Sequence, residues 1–303
     1  MESVGSVEHI PVLARTLAEQ IVLPQEAVVV DVTTGQGGHS YLFGLLLGSK
    51  GCMVCFDVDK NSIEAAKEKL KGLQCKVIFI NENFSQLKPA LKSIGIEKAD
   101  LIIADLGVSS AQLADSSCGL SFQQNMPLDM RLDKRLKVTA ADIVNRTDEK
   151  SLADLIFKYG EDRASRRIAR FIIEHRHSEK ITTTAQLSAI VCRALGQKAK
   201  GRWSKIHPAT RTFQALRIAV NSEMENLEKL LESSADLLKV GGRLAIISFH
   251  SLEDRMVKYN FRENEKNGIY EILTKKPLIA DRDEIAENPR ARSAKLRIAR
   301  KIN

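Results

Sequence analysis

The stretch DVTTGQGGHS, residues 31–40, decides how the first third of the chain is read. An apolar run, AVVV, precedes it, and the helix-like run YLFGLLL follows. Glycines at 35, 37 and 38 between such segments turn the backbone tightly around a ligand where a strand hands over to a helix. The familiar occupant of such a loop is a dinucleotide, whose pyrophosphate sits at the helix N-terminus. Two residues argue against it here. Ser40 replaces the third glycine of that fingerprint, and the charge of Asp31, at the end of the strand, would repel a pyrophosphate. A cationic or zwitterionic ligand fits the acid better.

Outward from this loop, short β-branched runs predict strands over 27–32, 52–57, 76–80 and 100–105. Helical segments fill the gaps. NSIEAAKEKLKGL, with a cap at Asn61 or Ser62 and lysines late in the run, ends at Gly72. Repeated strand–helix–strand units predict an α/β fold, a mostly parallel sheet with helices on both faces and its ligand at the carboxyl ends of the strands. After Asp105 the strands stop and helical periodicity takes over. LEKLLESSADLLKVGGRLAIISF then supplies an amphipathic helix, a turn at Gly241 and Gly242, and a fifth strand over 243–249. AKLRIARKI closes the chain as a last strand. The reading is one α/β domain, residues 1–112 and 219–303, interrupted by a helical insertion over 113–218.

With 303 residues, 44% of them apolar and 28% charged, the chain has the composition of a soluble globular protein. No apolar stretch is long enough for a membrane span and the start lacks a secretory pattern, so a cytoplasmic protein with no membrane partner is expected. Cys52 and Cys55 form a C-x-x-C, but on a strand they point to opposite faces and read as core residues. His39, His207 and His250 have no metal-binding spacing, and no metal is expected. The net charge of +8 is localised: residues 115–217 hold 20 Lys and Arg against 11 Asp and Glu. From Lys180 to Ser222 there are eight basic residues and no acid. That is the footprint of a polyanion. Arg163, Arg166, Arg167 and Arg170 recur at helical spacing, and Arg202, Trp203, Lys205 and Arg211 add charge and a ring that can stack on a base. An arginine stripe alone is equally the pattern of a solvated helix face.

Three strand ends carry an acid. Asp57 lies 20 residues after Gly37, where nucleotide-binding folds place an acceptor for ribose hydroxyls. Together with Asp31 and Gly35 it brackets a nucleoside bearing positive charge, a description met by S-adenosylmethionine. The plainer reading is that Asp57 and Asp59 cap the next helix. Asp105 faces the same crevice from the fourth strand, although Asp followed by Gly107 and two serines is also a good turn.

The chain resembles the bacterial 16S ribosomal RNA cytosine-N4 methyltransferases. The stretches that carry the resemblance are HIPVL at His9, GQGGHS at Gly35, ADLGVSSAQL at Ala104, PLDMRLD at Pro127, HPATRTFQALRIAVNSE at His207, GGRLAIISFHSLEDR at Gly241 and NPRARSAKLRIA at Asn288. The resemblance implies a class I S-adenosylmethionine-dependent methyltransferase fold with a helical insertion. It also implies a single acceptor cytosine in the decoding region of 16S rRNA, within the small ribosomal subunit. Carried over by motif, the donor-site residues are Gly37, Gly38, His39, Asp57, Phe84, Asp105 and Gln112. Four positions depart from the pattern: Val32 and Met126 replace glycines, Ala111 replaces a proline, and CGLSF stands for Arg-Gly-Phe-Ser-Phe.

The N4 lone pair of cytosine is delocalised into its ring, so the enzyme must localise it and aim it at the methyl group. Asp105 and nearby carbonyls are expected to accept from the amine, with Ser109 and Ser110 close by. Methylation at C5 would need a cysteine nucleophile, and only Cys55 and Cys118 lie near the strand ends. The alternatives are methylation of another RNA, a nicotinamide oxidoreductase on the same fold, and a non-catalytic RNA-binding assembly factor; the last would not need three aligned acids. The oligomeric state is left open, a homodimer among the options.

Overall fold

The computed structural model describes residues 11–109, 112–113, 115, 117–122, 124–196 and 207–303. The chain divides into two compact units, Met1–Gly107 with Glu225–Asn303, and Val108–Met224. Both limits read from the sequence, 112 and 219, lie inside the second unit. At its far end that unit is held by Arg217, whose guanidinium donates two hydrogen bonds of 2.8 Å to the Glu223 carboxylate.

The first unit is a seven-stranded sheet with strands β1 (Val28–Asp31), β2 (Cys52–Phe56), β3 (Lys76–Ile80), β4 (Ala99–Asp105), β5 (Leu238–Ser248), β6 (Tyr270–Ile272) and β7 (Lys295–Lys301). Their order is β3-β2-β1-β4-β5-β7-β6. The first five run parallel, while β7 is antiparallel to both β5 and β6. Helices α1 (Ala14–Gln20), α2 (Gly38–Gly44), α3 (Lys60–Lys69) and α4 (Leu87–Ser93) alternate with the early strands. Central strands read as continuous apolar runs because both faces are covered: Leu101, Ile102, Ile103 and Ala104 of β4 are all fully buried. This is the class I methyltransferase arrangement that the resemblance implies. The chain leaves β1 for β2 on one side and returns to β4 on the other, and such a switch point opens a crevice at the carboxyl ends of β1 and β4.

Two expectations are corrected. The turn at Gly241 and Gly242 lies inside β5 rather than before it, because the pairing with β4 jumps from Ala99↔Leu238 to Leu101↔Arg243 and the intervening residues bulge out of register. The strand therefore begins at Leu238, directly after the helix α10 (Glu223–Leu237). β6 was not anticipated: three residues on the sheet edge carry too little periodicity to stand out. Helices α11 (Ser251–Lys266) and α12 (Arg282–Glu287) complete this unit.

The second unit carries α5 (Ala140–Arg146), α6 (Glu149–Gly160), α7 (Ser165–Ser178), α8 (Thr184–Ala194) and α9 (Thr210–Asn221). Two starts are reciprocal capping boxes, Thr139 with Asp142 and Thr183 with Gln186, which satisfy backbone N–H groups that a helix end leaves bare. Apolar faces meet in a separate core that includes Leu152, Ile156, Ile168, Ile172, Leu187, Val191 and Leu216. PLDMRLD is structural here: Asp129 and Arg131 pair through two 2.8 Å bonds, and Asn221 donates to the Met130 carbonyl at 2.8 Å.

Candidate active site

The loop after β1 is built around Asp31. Its buried carboxylate accepts from the Ser40 hydroxyl at 2.6 Å and from the Thr33 N–H at 3.1 Å. The two residues that argued against a pyrophosphate are thus one hydrogen-bonded pair that closes the loop on α2. Burial raises the Asp31 carboxyl above its ordinary range, against the pull of Ser40. Gly35 and Gly37 have φ of 53° and 82°, the left-handed region that side chains disfavour, and Gly37 caps α2. Gly38 opens that helix beside Pro11.

Asp57, just beyond β2, accepts from the Gly35 N–H at 2.8 Å and from the Asp59 N–H at 2.9 Å. Asp59, and neither Asn61 nor Ser62, is the N-cap of α3, its carboxylate accepting from the Asn61 N–H at 2.9 Å. The capping duty therefore falls to Asp59, and Asp57 fastens the glycine loop to the end of β2. Burial pushes the Asp57 carboxyl up to about 6, although both backbone N–H groups favour its charge. Asn81, beyond β3, donates to the Asp57 and Val58 carbonyls at 2.9 and 3.0 Å, tying in the segment that leads to Phe84. Phe84 begins a 3-10 turn, Phe84–Gln86, whose cap is Asn83.

Asp105 ends β4 with its N–H donating to the Thr33 hydroxyl at 2.6 Å. His39, buried in the first turn of α2, places Nε2 3.5 Å from Asp105 Oδ2. Burial pulls the imidazole towards neutrality, but Asp105, Asp31 and Glu284 outweigh it and raise its pKa. Both ring nitrogens and Asp105 Oδ1 are buried without a hydrogen-bond partner among the described residues. Polar atoms so placed are the mark of a site shaped for a ligand, and the donor set of backbone loop, ribose-type acid and carboxylate fits S-adenosylmethionine. Thr33, Ser40 and Asn81 were not anticipated. Nor was Arg290, in the 3-10 turn Pro289–Ser293, whose guanidinium lies in the field of Asp105 and has its pKa lowered by burial. NPRARS was the one signal that could have found it.

Residues 6–302 match the MraW methylase family. The chain belongs to the MraW methylase family. Its members are S-adenosylmethionine-dependent methyltransferases. The chain is 41% identical over 309 residues to ribosomal RNA small subunit methyltransferase H of Clostridioides difficile (strain 630), covering 97% of this chain and 99% of that protein. The protein of the same name from Acaryochloris marina is 46% identical over 298 residues, with 98% and 96% covered. That from Cyanothece sp. (strain PCC 7425) is 45% identical over 295 residues, with 97% and 95% covered.

In the second unit of this methylase, Ser109 and Gln112 bind each other: the Ser109 N–H donates to Gln112 Oε1 at 2.9 Å and the Gln112 N–H to Ser109 Oγ at 3.2 Å. Ser110 and Ala111, together with Arg202, Trp203 and Lys205, lie outside the described residues. The other departures from the family pattern sit in packed places. Val32 and Met126 are buried. CGLSF keeps the glycine that must stay, since a Cβ on Gly119 would come within 2.0 Å of the Pro127 carbonyl oxygen. Phe122 stacks on His207 with ring centroids 4.4 Å apart, which makes His207 a packing partner.

The basic residues of this unit divide into two kinds. Arg176 donates to the Val144 and Thr147 carbonyls at the end of α5, and Arg217 is paired with Glu223, so both serve the fold. Arg163, Arg166, Arg167, Arg170 and Arg211 are exposed. Arg163 precedes α7 rather than joining its stripe, because the helix starts only at Ser165. Arg170 has Glu174 at 4.0 Å, and Arg211 reaches the Glu161 carbonyl at 3.4 Å. Arg167 and Arg193 both lie over the Phe171 ring, at 5.8 and 5.7 Å from its centroid.

Proposed function

We propose that this methylase transfers a methyl group from S-adenosylmethionine to the exocyclic N4 amine of a cytosine in 16S rRNA, cytosine 1402 in rRNA numbering. The observation that carries the reading is the joining of three strand ends by hydrogen bonds: Asp57 to Gly35, Asp31 to Thr33, and Thr33 to Asp105. Relatives named ribosomal RNA small subunit methyltransferase H, 41% to 46% identical, support rRNA as the acceptor. The donor, when bound, supplies a methyl on a sulfonium whose sulfur keeps the electron pair as the new C–N bond forms. Asp57 would accept from the ribose hydroxyls, and residues 35–39 would hold the remainder of the donor. Asp105 Oδ1 accepts a hydrogen bond from the amine and takes the proton that the nitrogen sheds. The resemblance assigns Phe84 and Gln112 to the donor, and Ser109 and Ser110 are expected beside the acceptor. The exposed arginines of α7, with Arg163, Arg202, Trp203, Lys205 and Arg211, hold the RNA. The substrate sets the place of action, the cytoplasm and the small ribosomal subunit.

Methylation at carbon finds no support among the cysteines. All five are free, and burial raises every thiol, that of Cys55 to about 12, so none is held as the thiolate a C5 route requires. Nucleoside mass spectrometry of rRNA from cells with and without the gene tests the proposal. N4-methylcytidine should disappear with the gene and return with it, and loss of 5-methylcytidine instead would overturn the amine as acceptor.

A further inference from the structure

The pair of buried His39 and half-buried Asp105 holds more polar capacity than the bonds made in the loop use. Asp31 accepts from Ser40 and Thr33, and Asp57 from two backbone N–H groups. Among the described residues Asp105 Oδ1 has no hydrogen-bond partner, and its Oδ2 lies 3.5 Å from His39 Nε2. His39 sits in the first turn of α2, where a positive charge opposes the helix dipole, and it is buried, which also disfavours charge. The groups that reach it are Asp31 from β1, Asp105 from β4 and Glu284 from α12, all acids. Arg290, from the turn before β7, acts on Asp105 rather than on the ring. Three carboxylates thus outweigh helix and burial together and raise the imidazole's pKa.

We infer that His39 is a positioning residue for methyl transfer: its Nε2, 3.5 Å from Asp105 Oδ2, holds that oxygen and so leaves Oδ1 as the acceptor for the amine. The inference rests on the functional reading above and deepens it. An imidazolium has two N–H donors and no acceptor, so it can anchor a carboxylate but cannot take the amine proton. That proton goes to Asp105 Oδ1, and from there to solvent after the C–N bond has formed. The 3.5 Å approach falls short of a hydrogen bond, and such contacts tighten into one when substrate closes the site. Without His39 the Asp105 carboxylate swings between orientations, and the amine meets it in the productive one only part of the time.

The test combines a double-mutant cycle with a titration. Single-turnover methyl transfer to small ribosomal subunits, at donor concentrations that saturate each variant by calorimetry, should fall about tenfold in His39→Gln. In an Asp105→Asn background the same change should cost less than about twofold, because the group it positions is gone. The wild-type rate should drop as pH rises through the His39 pKa, since the charge is present below that value and lost above it; His39→Gln should lack this limb. NMR of the imidazole in the unliganded protein gives a readout free of activity and of any change at residue 39. The ring should titrate above its ordinary value of 6.5 and move down in Asp105→Asn. Costs that add in the double variant, or a ring whose titration ignores Asp105, overturn the inference while the wild type still transfers methyl. A wild type that neither binds donor nor transfers methyl overturns the functional reading and this one with it.

Discussion

The strand-end crevice of the first unit and the basic face of the second are both made of charges, and they are organised in opposite ways. In the crevice, three acids stand at strand ends, and Asp31 and Asp57 are fixed by hydrogen bonds of 2.6 to 3.1 Å. On the basic face, Arg163, Arg166 and Arg167 are exposed with no acidic partner among the described residues. A fixed charge costs no reorganisation when the reaction develops its own, which is what catalysis needs. A solvated charge can follow a flexible polyanion and release counterions as it does so, which is what RNA binding needs. Substitutions in the crevice should therefore act on single steps, and substitutions on the face should act on salt dependence.

The largest effect is expected at Asp105. Asp105→Asn preserves shape and removes charge, so methyl transfer in single turnovers should fall by about 100-fold or more, as for a lost electrostatic stabiliser. The Thr33 bond uses the Asp105 backbone and survives the change. A wild-type rate in this variant would leave the crevice no more catalytic than the face.

Asp57 should come next. Asp57→Ala leaves the ribose hydroxyls and the Gly35 N–H without their acceptor, a loss of about 1 to 3 kcal/mol in donor affinity by calorimetry. The wild type should show the same dependence through pH. Donor hydroxyls favour the ionised carboxylate, so affinity is full above the Asp57 value of about 6 and weakens as pH falls through it. Below that value it should drop about tenfold per pH unit. The sign for stability is opposite: the folded chain holds this proton more tightly than the ordinary 3.8, so ionising Asp57 costs stability as pH rises from 3.8 to about 6. Asp57→Asn should abolish both dependences, and flat affinity between pH 5 and 7 in the wild type would separate Asp57 from the donor.

On the basic face, replacing Arg166, Arg167 and Arg170 with Ala should flatten the salt dependence of RNA binding by roughly one unit of slope per lost phosphate contact. Arg170 should give the least, because Glu174 already competes for it. Donor affinity should not change. An unchanged slope would make these arginines ordinary solvated surface and move the RNA elsewhere.

The contrast also explains what could be read from the sequence. Acids at the ends of parallel strands were legible because the topology delivers every carboxyl end to one crevice, whichever side chains surround it. Which acid caps α3 was not legible: Asp57 and Asp59 stand two residues apart, and only the backbone path after β2 decides which reaches the Asn61 N–H. The Ser40 bond to Asp31 was hidden for a like reason, since the two stand nine positions apart with a left-handed turn between them. Counting arginines mixed two populations, for Arg176 and Arg217 are used inside the fold. Charge composition reports how many there are, and burial reports how many are available.

The smallest effect tests whether the start of the second unit takes part in chemistry at all. Cys118 is buried, and its thiol donates to Asp115 Oδ2 at 3.2 Å. Burial and the Asp115 bond both raise its pKa, the reverse of what a nucleophile requires. Cys118→Ser keeps a donor for Asp115 and adds little volume change, so stability should drop by no more than about 1 kcal/mol. The single-turnover rate should change less than about twofold, because the group neither touches the amine nor holds a residue that does. Loss of methyl transfer in a variant that still melts cooperatively would make Cys118 a nucleophile, and carbon rather than nitrogen the acceptor.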